Sequence, residues 1–277
     1  MLNNFFIEDH VKKALEEDIG FGDITTDYLT NEEDKMKCEL NSRVEGILCG
    51  RNVFEMVFKV LSDKVQVKFH FKDGDEIKKG DKIADIYGPA RYVLMGERLA
   101  LNYVQRMSGI ATETNRYQKA IGEYKAKIVD TRKTTPLFRA FEKYSVKIGG
   151  GSLHRFNLSD CAMIKDNHIK YAGSLTKAVE KLRAHISHAH KIEVECDTFE
   201  QVKEAVACGA DIIMLDNMSL DTMRKCVDFI NGRAIVEASG NVNLDTVKEI
   251  ASTGVDIISS SAIVAKAPTL DLGLDCK

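Results

Sequence analysis

Residues 148 to 169 read IGGGSLHRFNLSDCAMIKDNHI. Gly149, Gly150 and Gly151 run directly toward His154 and Arg155, and Lys165 follows ten residues later. Upstream, Asp130 is followed by Arg132 and Lys133. A guanidinium is a planar fork that meets an anion's oxygens in pairs, whereas an ammonium acts as a point charge. A stretch that mixes both with flexible backbone therefore reads as a place where an anion is held. Glycine permits sharp turns and close backbone approach, so the triple glycine is expected to aim His154 and Arg155 at a ligand. His168 reads differently, as a structural hydrogen-bond partner for a strand end.

Composition supports a local rather than a global charge effect. The 277 residues are 44% hydrophobic and 29% charged, with a net charge of −3. Nothing in that balance points to nucleic acid or an acidic membrane surface. Yet between Lys125 and Lys170 ten lysines and arginines face only four acids: Asp130, Glu142, Asp160 and Asp166. The seven cysteines include no CxxC pair, so neither a zinc site nor a disulfide framework is expected, and a reducing cytoplasm is the default. The N-terminal residues lack the apolar core of a signal peptide, and no apolar run is long enough to span a membrane.

The elements that must position these residues repeat along the second half. Short β-branched runs at 127–131, 161–167, 191–196, 211–217, 234–240 and 256–262 each end in polar residues. Helical patterns separate them, such as 174–186 and 198–210, the latter with Thr198 as N-cap and Gln201 at the capping-box position. GADII (209–213) and GVDII (254–258) repeat one helix stop and strand start. Alternation of this kind means βα units and a parallel sheet. The expected fold is an incomplete or irregular (β/α) barrel of about six parallel strands, preceded by a smaller α+β, sandwich-like domain. The first half supplies an amphipathic helix at 5–20, a β-hairpin at 73–88 turning at Lys79-Gly80, and a long helix at 91–121 interrupted near Ser108-Gly109. The interruption sets the boundary between domain 1–108 and barrel 109–267, with the tail 268–277 expected to pack on the first. Barrel sites form at the C-terminal ends of strands. Those ends carry Asp130, Arg132, Lys133 and Lys165, then Glu195, Asp216, Glu237, Ser239 and Ser259 to Ser261. Cations on one group of strands and acids on another suit a substrate that is anionic at one end and metal-bound or cationic at the other.

At this point the chain resembles a family. DTRKTTP (130–136), EKYSVKIGGGSLHRFNLSD (142–160), IKDNHI (164–169), IEVEC (192–196), LDN (215–217) and EASG (237–240) are similar to the signature blocks of quinolinate phosphoribosyltransferases. GFGDITT (20–26) and ERLALNYVQRMSGIAT (97–112) match that family's first domain. Three positions depart from it. Leu137 stands where the family usually has glycine, SSSA replaces a glycine-bearing strand end near 261, and IVAKAP lacks the usual histidine-serine.

The resemblance implies that quinolinate and phosphoribosyl pyrophosphate (PRPP) react, with Mg²⁺, to give nicotinate mononucleotide, pyrophosphate and carbon dioxide. Two carboxylates on a rigid ring call for bidentate donors, for which Arg106, Arg132 and Arg155 are the candidates; His154 can donate to the same carboxylates, and Lys133 and Lys165 complete the quinolinate set and can bridge to the phosphates. The resemblance also implies a homodimer in which Arg106 reaches the neighbouring subunit's site. Lys133, Lys165, Glu195 and Asp216 are the candidate catalytic set. Glu195 and Asp216 suit ribose hydroxyls and Mg²⁺, held directly or through PRPP or water. Ser239, Gly240, Ser260 and Ser261 could offer N–H groups to a phosphate. Two other readings stay open: a non-catalytic phosphosugar-binding barrel, and a paralogue associated with molybdate transport. A paralogue would be expected to lose part of the Arg/Lys/His set, which this chain keeps.

Overall fold

The computed structural model describes residues 2–276. By packing, the chain forms two units: Met1–Asn115 with Pro136–Gly150 and Ala267–Lys277, and Arg116–Thr135 with Gly151–Lys266.

The first unit carries a four-stranded antiparallel sheet. Its strands are β1 (Lys35–Ser42), β3 (Gln66–Phe69), β5 (Lys82–Pro89) and β12 (Leu272–Cys276), in the order β12-β1-β5-β3. A small ladder pairs β2 (Gly46–Ile47) with β4 (Glu76–Ile77). Helices α1 (Asn4–Ile19), α2 (Thr26–Leu29), α3 (Arg51–Leu61), the greater part of α4 (Ala90–Ile121) and α5 (Arg139–Ile148) complete the unit. The core follows the periodicity. Ile7, Val11 and Leu15 of α1 recur at helical spacing and are buried, as are Phe54 and Phe58 of α3; burial of such side chains contributes roughly 1.5–3 kcal/mol each.

Three expectations change here. The Lys79-Gly80 turn exists, with Gly80 at φ 91° and Asp81 N–H donating to the Lys78 carbonyl. It does not close a hairpin, because β4 pairs with β2 while β5 pairs with β1 and β3. Helix α4 runs unbroken through Ser108 and Gly109, so the boundary drawn after residue 108 falls inside it, and Pro136–Gly150 packs with the first unit. Gly109 is small for another reason: a Cβ there would lie 1.9 Å from the Pro268 carbonyl oxygen. Cysteine chemistry also differs from expectation. Cys38 and Cys276 form a disulfide, placed opposite each other by the antiparallel pairing of β1 and β12. Their separation of 238 residues hides that register from any reading of spacing.

The second unit is a (β/α) barrel of six parallel strands: β6 (Lys127–Val129), β7 (Ala162–Ile164), β8 (Ile192–Cys196), β9 (Ile212–Asp216), β10 (Ile235–Ser239) and β11 (Ile257–Ser259). Their order is β6-β11-β10-β9-β8-β7. Next to β6 the segment at Ser152 adds one further parallel bridge to Val129. Helices α6 (Asp166–Ala172), α7 (Leu175–Arg183), α8 (Phe199–Ala207), α9 (Leu220–Ile230), α10 (Val247–Ala251) and α11 (Ala262–Ala265) follow the strands. Thr198 and Gln201 form the expected capping box, satisfying otherwise orphaned N–H groups at the start of α8. No described helix is long and apolar enough to cross a membrane.

Candidate active site

The C-terminal ends of the barrel strands surround a cavity of about 760 Å³. Parallel βα units force this: each strand delivers its last residues to the same rim, where the chain turns into a helix or loop. Arg132 and Lys133 follow β6 and are both exposed. Lys165 follows β7, Glu195 lies on β8, Asp216 ends β9, and Ser239 and Gly240 close β10. Ser259 ends β11, Ser260 and Ser261 follow it, and His154 and Arg155 complete the wall. All of these expected residues therefore meet at one cavity.

Local structure fixes several of them. Lys165 is the N-cap of α6, and its backbone N–H donates to Nδ1 of His168 at 2.9 Å. His168 is thus the strand-end partner expected of it. The Lys165 ammonium pairs with the Glu195 carboxylate, so a cation and an acid meet across β7 and β8. Asp216 Oδ2 accepts from the Asn217 side chain at 2.8 Å. Asn217, Gly240 and Asn241 all have positive φ, a conformation that Asn and Gly adopt most easily. A Cβ on Gly240 would come within 2.2 Å of Asn217 Oδ1, so only glycine fits there.

Arg155 is braced on the wall. Its guanidinium donates to the Cys161 carbonyl at 2.8 Å and touches Met163 Sδ at 3.5 Å. His154 is turned differently from expectation. Its Nδ1 accepts the Arg155 backbone N–H at 2.7 Å, and its Nε2 faces Glu193 and Glu237. Burial by itself lowers the affinity of His154 for protons, but the two carboxylates outweigh it and push its pKa up to about 10. Burial raises the pKa of Glu193.

The glycine run has a different role from the one expected of it. Gly150 alone of the three has positive φ, at 92°. A Cβ on Gly149 would sit 2.3 Å from the Ala111 carbonyl, so this glycine permits packing against α4. Arg106 does not line the cavity. Within the first unit its guanidinium donates to the Ala267 carbonyl at 2.8 Å and pairs with Glu142 at 3.2 Å.

The sequence reading passed over some residues. Asn217, Asn241 and Lys266 line the cavity, and Asn at a strand end was the available signal. Glu193 was missed although it lies two residues before Glu195; alternation along a strand puts both on one face.

A parallel barrel whose strand ends set arginine and lysine against carboxylates around one cavity defines an α/β-barrel enzyme for a polyanionic substrate. The chain belongs to the quinolinate phosphoribosyl transferase family: residues 23–108 match its N-terminal domain and residues 110–275 its C-terminal domain. It is 42% identical to a probable nicotinate-nucleotide pyrophosphorylase [carboxylating] of Bacillus subtilis, over 99% of this chain and 92% of that one. Solved structures agree. NadC from Streptococcus pyogenes is 41% identical with a TM-score of 0.96, covering 100% of this chain and 99% of the other. The nicotinate-nucleotide pyrophosphorylase from Francisella tularensis is 37% identical with a TM-score of 0.96, covering 100% and 98%.

Proposed function

We propose that this chain transfers phosphoribosyl from PRPP to quinolinate with loss of carbon dioxide, forming nicotinate mononucleotide for NAD biosynthesis. The observation that carries the reading is the single cavity in which Arg132, Lys133, Arg155 and Lys165 stand with Glu195 and Asp216. Arg155 and Arg132 take the two ring carboxylates, with His154 beside them. The pyridine nitrogen is itself the nucleophile, so no side chain need attack. It bonds to the anomeric carbon as the bond to pyrophosphate breaks, through a cation-like sugar. Glu195 and Asp216 hold the ribose hydroxyls and, as anions, favour that developing positive charge. Lys133 and Lys165 meet the negative charge that gathers on the leaving group. The ring nitrogen, now positive, draws the electron pair as the 2-carboxylate leaves, and a proton takes its place at carbon 2. Ser239, Gly240, Ser260 and Ser261 receive the 5′-phosphate.

Mg²⁺ fits this donor set. It binds through one or two carboxylates together with substrate phosphates and water, and Glu195 and Asp216 end neighbouring strands on the cavity wall. Glu195 and Asp216 would hold it, and it would supply positive charge to the pyrophosphate leaving group. The reading also takes the protein as a cytoplasmic homodimer, with Arg106 serving the partner subunit's cavity.

The decisive assay combines quinolinate, PRPP and Mg²⁺ and follows product absorbance and carbon dioxide. Turnover of quinolinate is expected, and none of nicotinate, which lacks the carboxylate that leaves. Comparable turnover of nicotinate refutes the reading. The dimer has its own test. Arg106→Ala and Lys165→Ala should each be nearly inactive, yet mixed and re-associated they should recover roughly a quarter of wild-type activity, since half the random pairs hold one intact site. A mixture as inactive as its parents, with subunit exchange verified, removes Arg106 from the shared site.

A further inference from the structure

Behind the cavity wall lies a cluster that the reaction described above does not use. Glu193 of β8 and Glu237 of β10 are 1% and 2% exposed, yet no lysine or arginine ion pair reaches either among the described residues. Both instead face the His154 ring. Nε2 lies 3.4 Å from Glu193 Oε2 and 3.5 Å from Glu237 Oε1. Glu237 Oε1 is buried and has no partner within hydrogen-bond geometry. Carboxylates this deep are costly unless paired, so the cluster must act on the ring it encloses.

The ring is held from other directions too. The His154 backbone N–H donates to Asp130 Oδ1 at 2.8 Å, and Asp130 is fully buried after β6. Nδ1 accepts the N–H of Arg155 at 2.7 Å. That bond leaves Nδ1 without a proton, so the ring's own N–H is on Nε2, directed at the two carboxylates. The two carboxylates pull the ring's proton affinity up, while the Arg155 N–H at Nδ1 limits the ring to the one proton on Nε2. One short segment is thereby tied to β6, β8 and β10, and the next residue along it is Arg155. That guanidinium must be placed closely to be useful, because a bidentate fork tolerates little misalignment.

We propose that Glu193 and Glu237 are positioning residues: from two strands they clamp the His154 ring, and through the His154–Arg155 backbone they hold the Arg155 guanidinium at the cavity wall. The proposal rests on the reading of that cavity as a site for an aromatic dicarboxylate. Neither glutamate needs to touch the substrate.

A double-mutant cycle on the full-length protein tests it, with quinolinate binding read by calorimetry and KM and kcat read by assay. Glu237→Gln keeps size and removes the charge. Quinolinate affinity should fall roughly ten- to a hundred-fold, the range for removing one partner of a buried charge pair. The KM for PRPP and kcat should stay within about three-fold, and the melting curve should stay cooperative. In an Arg155→Lys background the same substitution should cost less than about three-fold more, because the group it positions is already gone. Unchanged quinolinate affinity in Glu237→Gln overturns the proposal, as does a loss that adds in full to that of Arg155→Lys. Should Glu237→Gln fail to fold, Glu193→Gln runs through the same cycle with the same two criteria. Wild-type protein that binds no quinolinate overturns the functional reading instead, and shows it before the cycle begins.

Discussion

The two ends of the barrel carry charge in very different states. At the N-terminal ends of the strands, Asp211 accepts the Ile192 N–H at 2.8 Å and pairs with Arg183 at 2.5 Å. Asp256 repeats the device, accepting the Val236 N–H at 2.9 Å and pairing with Lys125 at 2.7 Å. These are the aspartates of the repeated GADII and GVDII, and each ties its strand to the strand before it. Asp211 and Asp256 both line the hollow beside them, about 490 Å³. At the C-terminal ends, Arg132, Lys133 and Lys266 line the larger cavity with no ion-pair partner among the described residues. The buried Ser259 hydroxyl there has no hydrogen-bond partner either. At one end the aspartates that flank the strands are spent on the fold itself. The other leaves hydrogen-bonding capacity open, and open capacity at a strand end is what a ligand can use.

The largest effect that contrast foresees is at Arg155. Arg155→Lys keeps the charge and loses the fork, so quinolinate binding should weaken by roughly 2–5 kcal/mol, the usual cost of breaking a desolvated charged hydrogen bond. Thermal unfolding should barely move. Calorimetry that finds quinolinate binding unchanged would remove Arg155 from the site and blur the distinction between the two ends. The opposite end should respond in the opposite way. Asp256→Ala leaves the Val236 N–H buried and unpaired, which costs about 1–3 kcal/mol of stability. KM for both substrates should be unaltered. A denaturant midpoint that does not shift, or a KM that does, would mean that the lower end is not purely structural.

Much of the barrel was legible in the sequence, because strand, turn and cap signals are local. The six apolar runs became β6 to β11, and Thr198 with Gln201 capped α8 as their types require. The residues of the cavity were legible for the same reason, since in this fold the position along a strand decides the end at which a side chain emerges. What escaped depends on partners remote in sequence. Gly109 reads as a break inside α4, but it is small because the Pro268 carbonyl packs on it. Cys38 meets Cys276 only through the register of two antiparallel strands. His154 looks like a substrate donor in a linear reading; only β8 and β10 together reveal that Glu193 and Glu237 face its ring.

The smallest effect concerns Leu137, in the segment that follows β6 in sequence. Leu137 has φ 62° and is 89% exposed. A branched residue in the left-handed region meets a steric penalty of roughly 1–2 kcal/mol that glycine avoids. The departure expected from the resemblance at this position is a strained residue in the structure. Glycine would relieve the strain but lose more freedom on folding, a cost of roughly 0.5–1 kcal/mol. Leu137→Gly should therefore stabilise the fold by about 0–1.5 kcal/mol. The exposed side chain packs on little, so no core contact offsets that gain. Activity should not fall, because the substitution restores the conformation the loop already has. Denaturant unfolding beside steady-state kinetics decides the matter. A marked rise in KM for either substrate would show that the leucine side chain itself takes part in binding, and that the strain is retained for function.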